Sequence, residues 1–364
     1  MLRGMQPREL SNPPSPFSSF KVEYSQTDDE SAPPRAAVTL LEDATKEILS
    51  KNDSPDLGFR FSVNPYRGCM HACAYCYARP SHEYLDMGAG TDFDTRIVVK
   101  RRAPELLRAA FERPSWQGEL VMFSGVTDCY QPFEAELRLT RGCLEVCLEY
   151  RNPVGLITKG TLVERDVDIL AELARVASAR VHVSLAFRDA ETARAIEPWT
   201  PTPARRLKVI ETLARAGIPV GIMIAPVIPG LNDDAICDLL LRARDAGADS
   251  CGMVLLRLPG SVAPVFEERL RAALPLTAEK VMHRIRETRG DRLYDPRFFA
   301  RQKGEGPYAR MISELFESSA RKLGYKLRND EGETYAGDHP PGRNSTFRRP
   351  EPPPGPPPPQ LSLF

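Results

Sequence analysis

The stretch EPWTPTPARRLKVIETLARAGIPVGIMIAPVIPGLND, Glu197 to Asp233, carries two periodicities in one line. Its middle, ARRLKVIETLARAG, repeats apolar residues at three- and four-residue spacing and stops at Gly217, the pattern of an amphipathic helix with a glycine end. The next residues, IPVGIMIAPVI, form a near-continuous apolar run, which suits a strand covered on both faces. A helix feeding into a doubly buried strand is half of a parallel crossover.

The same alternation extends in both directions. RFSVNPY, ELVMFSGVTD, PVGLITKG, RVHVSLAF and CGMVLLRLPG read as five more strands, and AELRLTRGCLEVCLEY, DVDILAELARV and AICDLLLRARDAG as helices between them. Six successive units of roughly 30 residues predict an α/β core over residues 56–262, a partial (β/α)6 TIM-like barrel in preference to a doubly wound sheet. VFEERLRAAL, TAEKVMHRIRETRG and PYARMISELFESSARKLGY predict a small helical C-terminal extension over 263–335. Residues 1–55, rich in Pro, Ser and acidic side chains, and the proline-dominated 336–364 lack the apolar content for a core, so both are expected to be disordered tails. The proline tract is expected to be an extended, inert polyproline segment.

Composition sets outer limits. The 364 residues are 42% hydrophobic, enough to bury one large domain or two modest ones. Lys+Arg and Asp+Glu are 49 each, so no global basic field draws nucleic acid, although a local groove is compatible with that balance. MLRGMQPREL has no apolar signal core and no run of about 18 apolar residues occurs, which predicts a cytoplasmic protein with no membrane span. In a reducing compartment eight cysteines serve better as metal ligands or reactive thiols than as disulfides. Cys143 and Cys147, four apart on a predicted helix, and Cys237 and Cys251 are expected to be small core residues.

Three others cluster. GCMHACAYCYARP, Gly68 to Pro80, spaces Cys69, Cys73 and Cys76 as C-x3-C-x2-C in the loop at the C-terminal end of the first strand, where active sites of parallel α/β folds assemble. Three neighbouring thiolates need a metal to neutralise them. Two sites satisfy that need: a Cys3His zinc clip completed by His71 or His82, as in a nucleic-acid-binding module, and a four-iron cluster with its fourth iron left open.

With Tyr75 just before the last cysteine, in the first loop of a six-unit barrel, the motif resembles that of the radical S-adenosylmethionine superfamily. NPYRGCMHACAYCYARPSHEYL, SGVTDCYQPFE, LITKG and the opening stretch are similar to its spore-photoproduct-lyase-like branch, often called DNA repair photolyases, over roughly residues 58 to 260. The resemblance implies a [4Fe-4S] cluster on Cys69, Cys73 and Cys76, with S-adenosylmethionine chelating the open iron. It implies reductive cleavage to a 5′-deoxyadenosyl radical, a one-electron reductant such as flavodoxin or ferredoxin, and a damaged pyrimidine in DNA as substrate. A peptide or small metabolite is the alternative substrate.

Residue by residue, it implies that Ser124, Gly125 and Thr127 meet the methionine amino group, although the glycine-glycine-glutamate form of that motif is absent. Lys159 would pair with the methionine carboxylate, Ser184 would reach the ribose, and the backbone at Ala225 would pass the adenine. Tyr75 and Tyr77 match the branch's hydrogen-transfer tyrosines. Gly125 stands where the spore enzyme has its donor cysteine, and Cys129, four residues on, is expected at the active-site rim as a hydrogen donor. Asp128 and Glu134 are candidates for polar substrate contacts, and Arg67 and Arg79 for anion recognition. Arg297, Arg301, Lys303 and Arg310, interleaved with Phe298, Phe299 and Tyr308, suit nucleic acid.

Overall fold

In the computed structural model, which describes residues 8–15, 35–325 and 345–351, six parallel strands follow one another across a single sheet. They are β1 Phe61–Val63, β2 Val121–Phe123, β3 Val154–Thr158, β4 Ala179–Ser184, β5 Val220–Val227 and β6 Ser250–Leu255. Helices α1 Ala103–Glu112, α2 Leu139–Glu149, α3 Val167–Val176, α4 Pro203–Arg215 and α5 Ile236–Asp245 alternate with them. The order β1 to β6 is sequential and β1 does not pair with β6, so the barrel is partial, as the periodicity predicts.

The two-sided burial of the strands explains their near-continuous apolar runs. Val181 lies in register with Leu156 on one side and Val220 on the other, and all three are buried. Helix α4 begins where the sequence signals it: Pro203 occupies the first turn, and the Thr202 side chain accepts a hydrogen bond from Arg205 N at 3.4 Å. The helical extension comprises α6 Val262–Ala273, α7 Pro275–Glu287 and α8 Gly306–Lys322. Among the described residues no helix is long and apolar enough to cross a membrane.

Four expectations need correction. The stretch AELRLTRGCLEVCLEY is not one helix: a turn at Glu134–Leu137 breaks from α2 at Arg138, whose φ is +52°. The buried Glu134 carboxylate makes the break by accepting from the N–H groups of Thr140 at 3.1 Å and Arg141 at 3.3 Å, the free donors of a new helix start. Cys143, Cys147 and Cys251 are core residues, but Cys237 is exposed and contacts Ser319 Oγ at 3.0 Å.

The segment 1–55 is structured over its described parts. Leu49–Lys51 adds an antiparallel strand to the free edge of β1, and Thr39–Glu42 pairs in parallel with Arg96–Val99. Ser11 and Asn12 seat against Gly90 and Gly88, where any side chain would collide: a Cβ at Gly90 would lie 1.9 Å from Ser11 O. Residues 345–351 of the tail pack on the barrel as well, through Phe347 against Phe111 and Tyr150. Most of the proline tract lies outside the described residues.

Candidate active site

The connection from β1 to α1 carries the three cysteines. Gly68 opens it at φ +78°, and a Cβ there would come within 2.9 Å of both His82 Cε1 and Phe93 O, so the turn requires glycine. Several backbone donors of the loop are tied to the surrounding fold: Cys69 N donates to Phe93 O at 3.0 Å, Met70 N to Gln131 Oε1 at 3.1 Å, and Ala74 N to Ile196 O at 2.9 Å. Arg79 is fully buried and donates Nε and Nη2 to Cys73 O at 3.2 and 2.8 Å. Asp94 balances it at 2.9 Å and also receives Arg269, which in turn donates to Ala72 O. Arg79 is therefore a scaffold for the loop and not the anion-recognition residue expected from its position.

The three thiols are the loop's sulfur ligands. Cys69 and Cys73 are buried and Cys76 is partly exposed. Burial pushes Cys73 up to about 12, with the Glu197 charge adding and Lys159 opposing. Cys69 is raised well above an ordinary thiol by burial and by the fields of Asp128, Cys73 and Cys76. Burial also raises Cys76 against the pull of Arg79. Three neighbouring thiols, each raised by burial, resist becoming thiolates unless a metal centre takes up their charge.

A zinc clip would take its fourth ligand from His71 or His82. His82 Nε2 lies 2.9 Å from Arg96 O, its ring sits edge-on to Phe93, and burial lowers its pKa. His71 Nδ1 faces Asp128 Oδ2 at 3.4 Å. Among the described residues no group of three or more His, Cys, Asp and Glu side chains is gathered to hold one metal ion. Three cysteine thiols on one loop, one fewer than the usual four-cysteine ligation, are a donor set that would hold a four-iron cluster with one iron left open.

Strand ends β3 and β4 wall the loop with buried charge. Lys159, just after β3, places Nζ 5.7 Å from the Tyr75 ring centroid. Burial opposes its charge, but Cys73 and Glu197 raise its pKa above the usual lysine value. The Tyr75 hydroxyl donates to Glu197, which also pairs with the buried Arg206. Arg206 Nη1 donates to Ser184 O at 3.0 Å, tying the group to β4. Sequence reasoning gave Glu197 and Arg206 no role, although both lie in the opening stretch; partners nine residues apart across a turn leave no periodic signal.

The loop after β2 faces the cysteines from the other side. Ser124 has φ +76°, uncommon for a residue with a side chain, and its Oγ accepts from Cys129 N at 3.0 Å. Thr127 donates to Tyr66 O at 3.3 Å. Asp128 accepts from Thr158 Oγ1 at 2.6 Å and Lys159 N at 2.7 Å, locking β2 to β3. Burial works to raise the Asp128 carboxyl, and His71 with these donors holds it well below the usual range. Glu134 accepts from Tyr66, so both acids serve the scaffold.

Tyr77 spans the mouth. Its hydroxyl donates to Gly125 O at 2.6 Å while its half-exposed ring lies under the Arg257 guanidinium, 5.4 Å from centroid to carbon. Cys129 is not at the rim: it is 1% exposed within the main core cluster, and burial raises its pKa. Ser184 is buried and donates to Ala225 O at 3.2 Å, fixing β4 to β5, and Ala225 is half-buried at the end of β5. Asn64, after β1, accepts from Val126 N at 2.8 Å, and its buried Nδ2 has no partner among the described residues and faces Gly125.

The basic segment after α7 is largely self-neutralised. Arg297 pairs with Asp295 at 2.5 Å and Glu305 at 2.7 Å, and Arg301 with Asp56 at 2.5 Å. Lys303 and Arg310 are exposed.

Comparison with known proteins gives the same outline. The family model described as the Radical SAM superfamily matches residues 63–243. An uncharacterized protein of Mycobacterium tuberculosis is 41% identical over 247 residues, covering 67% of this chain and 73% of that one. An uncharacterized protein of Methanocaldococcus jannaschii is 31% identical over 196 residues, covering 54% of this chain and 70% of its own. In fold, the chain is similar to spore photoproduct lyase complexed with dinucleoside spore photoproduct, with a TM-score of 0.56 at 16% identity over 78% of this chain and 79% of that one.

Proposed function

This chain belongs to the radical SAM superfamily, an enzyme family whose [4Fe-4S] cluster and S-adenosylmethionine are its cofactors, and we propose that it applies them to a damaged pyrimidine in nucleic acid. When bound and reduced, the cluster supplies cleavage of the sulfonium bond to a 5′-deoxyadenosyl radical that abstracts hydrogen from an unreactive carbon. The observation that carries the cofactor assignment is the placement of the free cysteines Cys69, Cys73 and Cys76 on the one loop that follows β1.

In this reading the three thiolates hold the cluster, and the remaining residues bind, orient and exclude water. Lys159 offers its cation to the methionine carboxylate beside Cys73, and the unpartnered Asn64 Nδ2 offers a donor next to the loop of Ser124, Gly125 and Thr127. Ser184 and Ala225 form a fixed wall at the ends of β4 and β5. Tyr75, kept protonated by burial and by Glu197, has its hydroxyl committed to that carboxylate, which leaves Tyr77 as the tyrosine closer to solvent for hydrogen return. Cys129 has no part in this scheme, because its place in the core gives a substrate no access.

The likeness in fold to spore photoproduct lyase supports the pyrimidine substrate, and a one-electron protein such as flavodoxin or ferredoxin would be the reductant. The test is anaerobic reconstitution with iron and sulfide, then S-adenosylmethionine and dithionite, with chromatography for 5′-deoxyadenosine. The full chain is expected to form it, with iron near four per chain. Cys69→Ala, Cys73→Ala and Cys76→Ala are each expected to lose both the iron and the product; product formation by any of them would refute the cluster assignment.

A further inference from the structure

Two arginines at the end of β6 carry charge that no carboxylate among the described residues pairs with. Arg257 lies two residues beyond β6; it stacks on Tyr77, and its buried Nε has no hydrogen-bond partner among the described residues. Arg289, just after α7, is 2% exposed. Among the described residues it donates only to carbonyls: Nη2 to Leu256 O at 2.7 Å and Arg301 O at 3.0 Å, and Nη1 to Ala300 O at 2.7 Å. Its Nε is also without a partner. Burial lowers Arg289 to about 10, Asp295 opposes, and the Arg257 charge pushes the same way as burial.

The acids nearby are already taken. Asp295 and Glu305 hold Arg297, and Asp56 holds Arg301. Two like charges kept at a barrel mouth without a counter-ion cost stability, and an anion bound there offsets that cost.

The turn that Arg289 grips has its own peculiarity. Phe298 and Phe299 stand next to each other, 50% and 57% exposed. Phe299 has φ +64°, a strained backbone for a bulky side chain. Arg301 lies 4.8 Å from the Phe298 ring centroid. Adjacent exposed aromatics on a turn whose next two carbonyls, of Ala300 and Arg301, are held by Arg289 are the combination that stacks unpaired bases close to positive charge.

We infer that Arg257, backed by Arg289, binds a phosphodiester of a single-stranded or locally opened nucleic-acid substrate, with Phe298 and Phe299 stacking its bases. The inference rests on the proposed action on nucleic acid and adds the residues that would recognise the substrate. Because Arg257 covers Tyr77, the bound phosphate sits over the tyrosine that bridges to Gly125 above the cysteine loop.

The test uses the full reconstituted chain and a fluorescein-labelled single-stranded oligothymidine, with anisotropy read over a salt series. Arg257→Gln is expected to weaken binding about tenfold or more and to lower the slope of log Kd against log salt by about one. Arg257→Lys should keep that slope, since it retains the charge. Phe298→Ser should weaken binding with the slope unchanged, because stacking carries no counter-ion. Unchanged affinity and slope in Arg257→Gln would overturn the proposal, as would failure of the parent protein to bind the oligonucleotide at low salt. Two readings separate the levels: if the parent binds the oligonucleotide and Arg257→Gln binds it equally well, only the phosphodiester site falls, whereas a parent that forms 5′-deoxyadenosine but binds no oligonucleotide loses the nucleic-acid substrate as well and keeps only the cofactor chemistry.

Discussion

Glu197 shows how much of the site depends on one buried carboxylate. Burial works to raise its pKa, and Arg206 and Lys159 win, holding it below the usual glutamate value. The same carboxylate receives Tyr75, so it positions the residue between two cluster cysteines. Glu197→Gln leaves the Arg206 cation in a dry site with carbonyls and the Thr200 hydroxyl for company, and is expected to cost about 3 kcal/mol in urea unfolding. A double variant that also replaces Arg206 by Met should recover part of that loss; equal stability of Glu197→Gln and the parent would show that the pair is not a structural anchor. The cysteines were legible in the sequence because their spacing is itself the motif. Glu197 and Arg206 were not, since what gives them meaning is a turn that brings two distant charges together. Cys129 was misplaced for a related reason: spacing puts it near the mouth, but only packing decides which way a side chain turns.

Strands tell a similar story at the next scale, and β4 with β5 is the sharpest case. His182 lies in register with Gly221, and a Cβ at Gly221 would stand 2.8 Å from His182 Cδ2 and 2.9 Å from Ser250 O. Gly221→Ala is therefore expected to destabilise the fold by about 1–3 kcal/mol in denaturant unfolding, because a backbone carbonyl cannot yield as a flexible side chain would. His182 itself is lowered to about 4 by burial, with Arg180 acting the same way. It is neutral in the fold above that pH, while the unfolded chain takes up a proton below its ordinary value near 6.5. The stability due to this neutral histidine is thus fully present above pH 6.5 and lost as pH falls toward 4. At pH 5 the loss should be about 2 kcal/mol, and His182→Gln should flatten this part of the pH profile of urea midpoints. Strands β3 and β5 were the most legible because burial on both faces writes itself as apolar runs. The strand at Leu49–Lys51 was not, because it borrows the edge of β1 and needs no apolar run of its own.

For the whole molecule, the two ends of the barrel have separate duties. The cysteine loop, Lys159 and Arg257 gather where the strands finish. The tail segment 345–351 clasps the opposite end, before β2 and β3 begin. Ser345 Oγ donates to Gly118 O at 2.9 Å, Thr346 Oγ1 to Arg151 O at 2.9 Å, and Arg348 N to Tyr150 O at 2.8 Å. Phe347 enters between Phe111 and Tyr150, with ring centroids 5.8 and 6.0 Å away. Gly118, at φ +75°, leaves the space for it: a Cβ there would lie 2.2 Å from Phe347 Cβ. No composition argument could find this clasp, because a segment that folds only against another surface looks like a polar tail in isolation. Phe347→Ala removes the wedge but leaves the mouth untouched, so it should lower stability by about 1–3 kcal/mol, read as a fall in Tm. Formation of 5′-deoxyadenosine well below that Tm should be unchanged. A loss of product with no loss of stability would mean that the clasp acts on the mouth through the barrel, contrary to a purely structural role for this end.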